Sequence, residues 1–192
     1  RLAADQGFAH AQYSMGIIFK DGKGVDQDFI KALEWFKLAA KQKFTPAEYN
    51  LGWMHENGKG VPQNYKEAIK WYQRAAEKGD AGAQNNLGTM YKNGNGVLKD
   101  QQEAVKWYRL SAEQGYSKGQ INLGIMYYQG QGVTQDYLEA HKWWSLAAEQ
   151  GEIQAQYNLG VLYEKGLGIP QDQKEAFKWY QRAAKQGEAQ AQ

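Results

Sequence analysis

The sequence predicts an all-α solenoid of tandem helix-turn-helix repeats, and three observations carry that reading. Glycine pairs recur with a fixed step of 36 residues, from Gly22-x-Gly24 through Gly58-x-Gly60, Gly94-x-Gly96 and Gly130-x-Gly132 to Gly166-x-Gly168. Tryptophan keeps the same step at positions Trp35, Trp71, Trp107, Trp143 and Trp179, as does alanine at Ala32, Ala68, Ala104, Ala140 and Ala176. Between these markers apolar residues fall at helical spacing, and 3 prolines against 22 glycines leave long elements closed by regular turns.

The first helix of each copy is read from an apolar stripe: Ala11, Met15, Ile18 and Phe19, then Ala47, Leu51, Met54 and His55, then Ala83, Leu87, Met90 and Tyr91. Beside the stripe stand Gly16, Gly52, Gly88, Gly124 and Gly160. Each costs up to about 1 kcal/mol of helix propensity, which a close approach by a neighbouring helix explains. Gly22 and its equivalents close the helix, since glycine enters the left-handed conformation without steric cost.

The second helix starts at Asp28, Asn64, Asp100, Asp136 and Asp172, all good N-caps. Glu67, Glu103, Glu139 and Glu175 stand three residues on, the spacing of a capping box; Lys31 replaces the glutamate in the first copy and predicts a less secure start there. Ala32, Trp35, Phe36, Ala39 and Ala40 make the apolar side, while lysine follows each glutamate three residues later on a solvated face. Gly79, Gly115, Gly151 and Gly187 are expected to stop the helix, and Lys43, which replaces that glycine, predicts an irregular junction.

This register divides 1–192 as a single array: 1–7 end a preceding repeat, 8–43, 44–79, 80–115, 116–151 and 152–187 are full repeats, and 188–192 start a truncated one. Residues 188–192 are therefore expected to fray unless something stacks on them. The natural N-terminus is expected to be missing, which leaves exported, envelope and cytoplasmic locations equally open.

Composition narrows the function. With 42% hydrophobic and 14% aromatic residues the chain has the material for a core. A net charge of +2 from interspersed basic and acidic residues gives no cationic footprint for nucleic acid, and no apolar run is long enough to span a membrane. Absence of cysteine removes disulfides and thiolate chemistry. His10, His55 and His141 stand far apart with no metal-ligand spacing, and the glycine pairs lack the Gly-Lys-Ser/Thr ending of a phosphate loop. No catalytic residue, metal or cofactor is expected, and the chain reads as a binding module rather than an enzyme.

The string Ala-x-x-x-Leu-Gly-x-x-Tyr-x-x-Gly-x-Gly-Val-x-x-Asp, followed by Ala-x-x-Trp-x-x-x-Ala-Ala-x-x-Gly, resembles the Sel-one-like repeat, a relative of the tetratricopeptide repeat. The resemblance covers essentially the whole chain, with His55, Lys43, Ser111 and Gly119 as departures. It implies a right-handed superhelix of antiparallel helix pairs whose first helices line a concave groove, and adaptor or scaffold roles toward a protein or peptide. A cysteine-rich branch of the family has been linked to penicillin binding, but this chain has no cysteine and no Ser-x-x-Lys; the nearest string, Thr89-Met90-Tyr91-Lys92, has the wrong nucleophile. A structural spacer within a larger protein is the alternative to a scaffold, and uncapped terminal helices allow end-to-end stacking.

The side of the first helix opposite the apolar stripe, made by positions 10, 13, 14, 17, 20 and 21 and their equivalents 36 residues on, is the candidate partner surface. Its columns vary between otherwise strict copies: Tyr13, Tyr49, Asn85, Ile121 and Tyr157; Ile17, Trp53, Thr89, Ile125 and Val161; Lys20, Glu56, Lys92, Tyr128 and Glu164. Trp53 stands where other copies hold smaller residues and has the character of a binding hot spot. A polar column of Ser14, Asn50, Asn86, Asn122 and Asn158 runs beside them. An asparagine both donates and accepts, so this ladder either clamps a peptide backbone or keeps neighbouring repeats in register. The Tyr13, Tyr49 and Tyr157 column likewise either meets a partner or fills gaps between first helices.

Overall fold

The computed structural model describes Ala4 and residues 6 to 191, with side chains described as far as Gly187. The chain divides into two compact units, Arg1–Lys99 and Asp100–Gln192. Within the first unit lie α1 (Ala9–Asp21), α2 (Phe29–Lys41), α3 (Thr45–Asn57), α4 (Tyr65–Ala76) and α5 (Ala81–Asn93). The second holds α6 (Gln101–Glu113), α7 (Ser117–Gln129), α8 (Tyr137–Glu149), α9 (Ile153–Lys165) and α10 (Gln173–Ala191). Among the described residues there is no strand, and each helix packs on its sequence neighbours within its unit, so the chain is a helical-repeat solenoid. No helix among them is long and apolar enough to cross a membrane.

The core sits where second helices meet first helices. In the first unit Ala32, Leu33, Phe36, Ala39 and Ala40 of α2 pack against Ala47, Leu51 and Met54 of α3. In the second, Ile121 of α7 and Ala140, Trp144, Ala147 and Ala148 of α8 pack with Ala155, Leu159 and Leu162 of α9. Gly52 shows why the helical glycines are required: a Cβ there would lie 2.5 Å from the Tyr72 ring, so only glycine lets α3 and α4 approach. The stripe is complete in α3, where Ala47, Leu51 and Met54 have no exposed surface, but Ala11, Met15, Ile18 and Phe19 of α1 are only partly covered.

All five predicted N-caps accept bonds from backbone N–H groups of the first turn, from Asp28 through Asp172. The capping box, however, does not close. The N–H of Asp28, Asn64, Asp136 and Asp172 donates instead to the carbonyl nine residues earlier, on Phe19, His55, Tyr127 and Tyr163. The glutamates are thereby free to pair with lysine, as in Lys106–Glu103 at 2.7 Å and Lys142–Glu139 at 3.2 Å. The first copy loses nothing by Lys31: Asp28 accepts from both Ile30 and Lys31, and its other oxygen lies 3.0 Å from Lys31 Nζ. A glutamine just before the cap ties the same turn, with Gln27, Gln63, Gln135 and Gln171 each donating to the carbonyl seven residues back.

Two expectations about helix ends are corrected. The junction at Lys43 is regular, because Lys43 itself takes φ +60° and the N–H of Phe44 reaches the Ala39 carbonyl, as Asp80 reaches Ala75 at the glycine-closed end. Gly187 does not stop its helix, since α10 continues to Ala191. The expected fraying of 188–192 concerns side chains and a final residue that lie outside the described residues.

A repeating clasp holds neighbouring copies together. Gln42 Nε2 donates to the Gly7 carbonyl and to Gln12 Oε1, and Gln150 donates in the same way to Gly115 and Gln120. At the equivalent place Lys78 Nζ donates to the Lys43 carbonyl at 3.0 Å and to Glu48 Oε2 at 2.6 Å. The Glu48 side chain is fully buried, and its other oxygen lies 2.8 Å from Arg74 Nη2.

Candidate functional site

The candidate residues lie on the side of each first helix away from its core stripe, and the two units use that side differently. In the first unit most of them are engaged in packing. Tyr13 stacks in a tilted arrangement on Phe36 and Phe44, at 5.8 and 5.3 Å, and burial raises its phenol pKa. Asn50 is only 6% exposed; it donates to the Pro46 carbonyl at 2.8 Å and accepts from Lys20 Nζ at 3.4 Å. Ile17 and Trp53 are half-buried against the core. The Trp53 indole lies 6.5 Å from the Phe29 ring, with Lys20 Nζ above it at 5.7 Å. Tyr49 leans on Tyr72 at 5.9 Å and against the backbone of Gly82.

Glu56 accepts from the Tyr72 hydroxyl at 2.5 Å, and burial followed by the Glu56 charge pushes the Tyr72 pKa far up. Asn86 accepts from Asn85 Nδ2 at 3.2 Å and faces the same Tyr72 hydroxyl. Thr89 donates to the Asn85 carbonyl, and Lys92 is half-buried at the end of α5. The glutamate reappears in the second unit, where Glu164 accepts from the Tyr180 hydroxyl at 2.8 Å and, after burial, raises that phenol to about 12. The sequence held only part of the signal: acid stands sixteen positions before tyrosine at Glu56 and Tyr72 and at Glu164 and Tyr180, but Lys92 takes that place before Tyr108.

The second unit leaves space. A hollow of about 390 Å³ is lined by Ile125, Tyr128 and Gln129 of α7, Trp144 of α8, and Gln154, Tyr157, Asn158, Val161 and Lys165 of α9. Five of the predicted residues meet there: Ile125, Tyr128, Tyr157, Asn158 and Val161. Asn122 is half-buried on α7 and is not in the lining. Tyr128 is held edge-on by Tyr137 and tilted on Trp144, both at 5.4 Å, which makes a rigid wall; Trp144 Nε1 is spent on the Ile121 carbonyl. Tyr157 is 56% exposed and leans on Tyr180 at 5.5 Å.

Val161 occupies the position that Trp53 holds three copies earlier; the indole lies half-buried against the core of the first unit, and the smaller isopropyl group lines the hollow in the second. The sequence weighted Trp53 most within this column, and two of the column's other predicted residues, Ile125 and Val161, line the hollow. Gln154 stands in the column of position 10 and Gln129 and Lys165 in that of position 21, on the side the sequence singled out, whereas Trp144 comes from a second helix and was not among the residues expected there.

Comparison with known proteins identifies the repeat. The family described as Sel1 repeat matches five consecutive segments, 9–44, 45–80, 81–116, 117–152 and 153–188. Among solved structures, a protective antigen of uropathogenic Escherichia coli with an SLR fold matches at TM-score 0.93 and 46% identity over 97% of this chain and 40% of that one. A Sel1 repeat protein from Oxalobacter formigenes matches at TM-score 0.88 and 38% identity over 95% of this chain and 72% of that one. Cysteine-rich protein B of Helicobacter pylori matches at TM-score 0.53 and 25% identity over 67% of this chain and 95% of that one. The chain thus spans less than half the length of the E. coli protein. Comparison with curated proteins returns no match.

Proposed function

This chain belongs to the Sel1 repeat family, and from that premise we propose that it is a protein-interaction scaffold whose second unit receives a side chain of a partner segment. The observation that carries the reading is the hollow of about 390 Å³, walled by Tyr128, Trp144 and Tyr157 and floored by Ile125 and Val161. It is the size of a small binding pocket, lined by apolar and aromatic side chains together with a few polar ones, and its exposed tyrosine is of the type that anchors interfaces. Burying one large apolar side chain there contributes about 1.5 to 3 kcal/mol. Asn158 at the rim offers a donor and an acceptor to the backbone of the same segment.

A binding role also agrees with how the acids and bases are spent. Glu67, Glu103, Glu139 and Glu175 pair with lysine on the outer helices, Glu56 and Glu164 hold tyrosine hydroxyls, and Glu48 sits between Arg74 and Lys78. The scaffold therefore presents a surface rather than a reaction centre.

Val161→Trp is the decisive variant, since Trp53 shows that the fold accepts an indole at that address. Peptides enriched from a displayed random library on the wild-type protein should bind Val161→Trp at least about tenfold more weakly, the equivalent of losing one buried apolar side chain. Unchanged affinity, with an unchanged melting curve, would remove the hollow as the docking site.

A further inference from the structure

The hollow in the second unit has a charge at its rim. Its lining includes Lys165 and no carboxylate. Lys165 is exposed and, among the described residues, is paired with no acid. The fold does not call for lysine here, because the same column holds Asp21, Asn57, Asn93 and Gln129 in the other copies. Asn57 serves that place by capping its own helix, donating to the Trp53 carbonyl at 2.9 Å.

The spacing along α9 defines what reaches this lysine. Asn158, Val161 and Lys165 stand three and four residues apart and so share one face of the helix. From Val161 to Lys165 the helix rises about 6 Å. Two residues of an extended chain cover about 6.6 Å and point to the same side. A segment lying along α9 with one apolar side chain over Val161 therefore brings the side chain two positions away to the ammonium group.

We propose that the hollow selects an internal acidic peptide segment, in which a large apolar residue stands two positions from aspartate or glutamate. The apolar residue enters over Val161 between Tyr128 and Tyr157, the carboxylate meets Lys165, and Asn158, one turn before Val161, meets the backbone on the other side of the apolar residue. This rests on the reading of the hollow as a side-chain site and adds to it the charge that the partner must carry.

The test uses acetylated, amidated fluorescein-labelled heptapeptides of glycine and serine with leucine at the third position and aspartate, asparagine or lysine at the fifth, together with the same set in reversed order. Fluorescence polarisation measures each against the wild-type chain, Lys165→Glu and Val161→Trp. Wild type should prefer aspartate over asparagine about threefold, and Lys165→Glu should reverse the order so that the lysine peptide binds best, with a swing of about tenfold. A lysine that merely complements the end of α9 would change the melting point without changing that ranking. The same ranking for wild type and Lys165→Glu, with binding still lost in Val161→Trp, overturns the acidic selection and leaves the hollow as a docking site. Equal binding by Val161→Trp, or no binding of any peptide to wild type, overturns both. Tighter binding by an asparagine peptide cut to end at that residue with a free carboxylate would assign the site to a chain terminus and overturn the internal segment.

Discussion

At the scale of single residues, His55 and Lys43 are two of the positions where this chain departs from its own repeat, and each of these departures has a measurable cost. Burial lowers the His55 pKa, with the charge of Glu67 opposing it, and His55 Nδ1 is buried without a hydrogen-bond partner among the described residues. A histidine held neutral in the fold gives stability that is full above its unfolded pKa near 6.5 and lost as pH falls toward the depressed folded value. His55→Tyr, which copies Tyr91, Tyr127 and Tyr163, should add about 1 kcal/mol at neutral pH by removing the unsatisfied nitrogen. It should also flatten the decline in urea midpoint between about pH 7.5 and about pH 5.5. Lys43 holds φ +60°, a conformation that costs a side-chain-bearing residue about 1 to 2 kcal/mol. Lys43→Gly should raise the urea midpoint by the equivalent of about 1 kcal/mol, since the Lys43 carbonyl that accepts from Lys78 belongs to the backbone and is retained.

At the scale of helices, the sequence was most legible where a single residue type repeats and least legible where a pair changes together. Caps and closing glycines were readable one column at a time because each acts on backbone within its own turn, and packing glycines because each repeats against its cost in helix propensity. The clasp was not, because it joins residues thirty positions apart: Gln42 with Gln12, Lys78 with Glu48, Gln150 with Gln120. Its signature is the joint switch from two amides to an ammonium and a carboxylate in one copy. The hollow was legible in part: the variable columns supplied Ile125, Tyr128, Tyr157, Asn158 and Val161, but Trp144 joins them from a second helix, a meeting that no single column displays. The clasp makes a prediction at this scale. Lys78→Ala leaves a fully buried carboxylate with Arg74 alone and should cost about 1 to 3 kcal/mol. The Glu48→Gln, Lys78→Gln double variant restores the amide pair and should return to within about 1 kcal/mol of wild type in chemical denaturation. Additive losses would show that the two residues act independently.

At the scale of the whole molecule, stability should be graded within each unit rather than uniform. In the first unit Leu51 and Met54 of α3 have no exposed surface, whereas Met15 and Phe19 of α1 are partly covered. In the second, Val105 of α6 is 5% exposed but Phe177, its counterpart on α10, is 65% exposed. A solenoid gains stability copy by copy from its junctions. Hydrogen exchange followed by mass spectrometry should therefore find α1 less protected than α3, and α10 less protected than α8. Equal protection throughout each unit would mean that the units open only as wholes. The turn between paired helices has a consequence of a different kind. Its cap donates to a carbonyl exactly one fixed chain distance upstream, and its glutamine reaches another, so an inserted or deleted residue would unfasten both bonds at once. A change of length that keeps both bonds therefore has to come as an entire 36-residue copy.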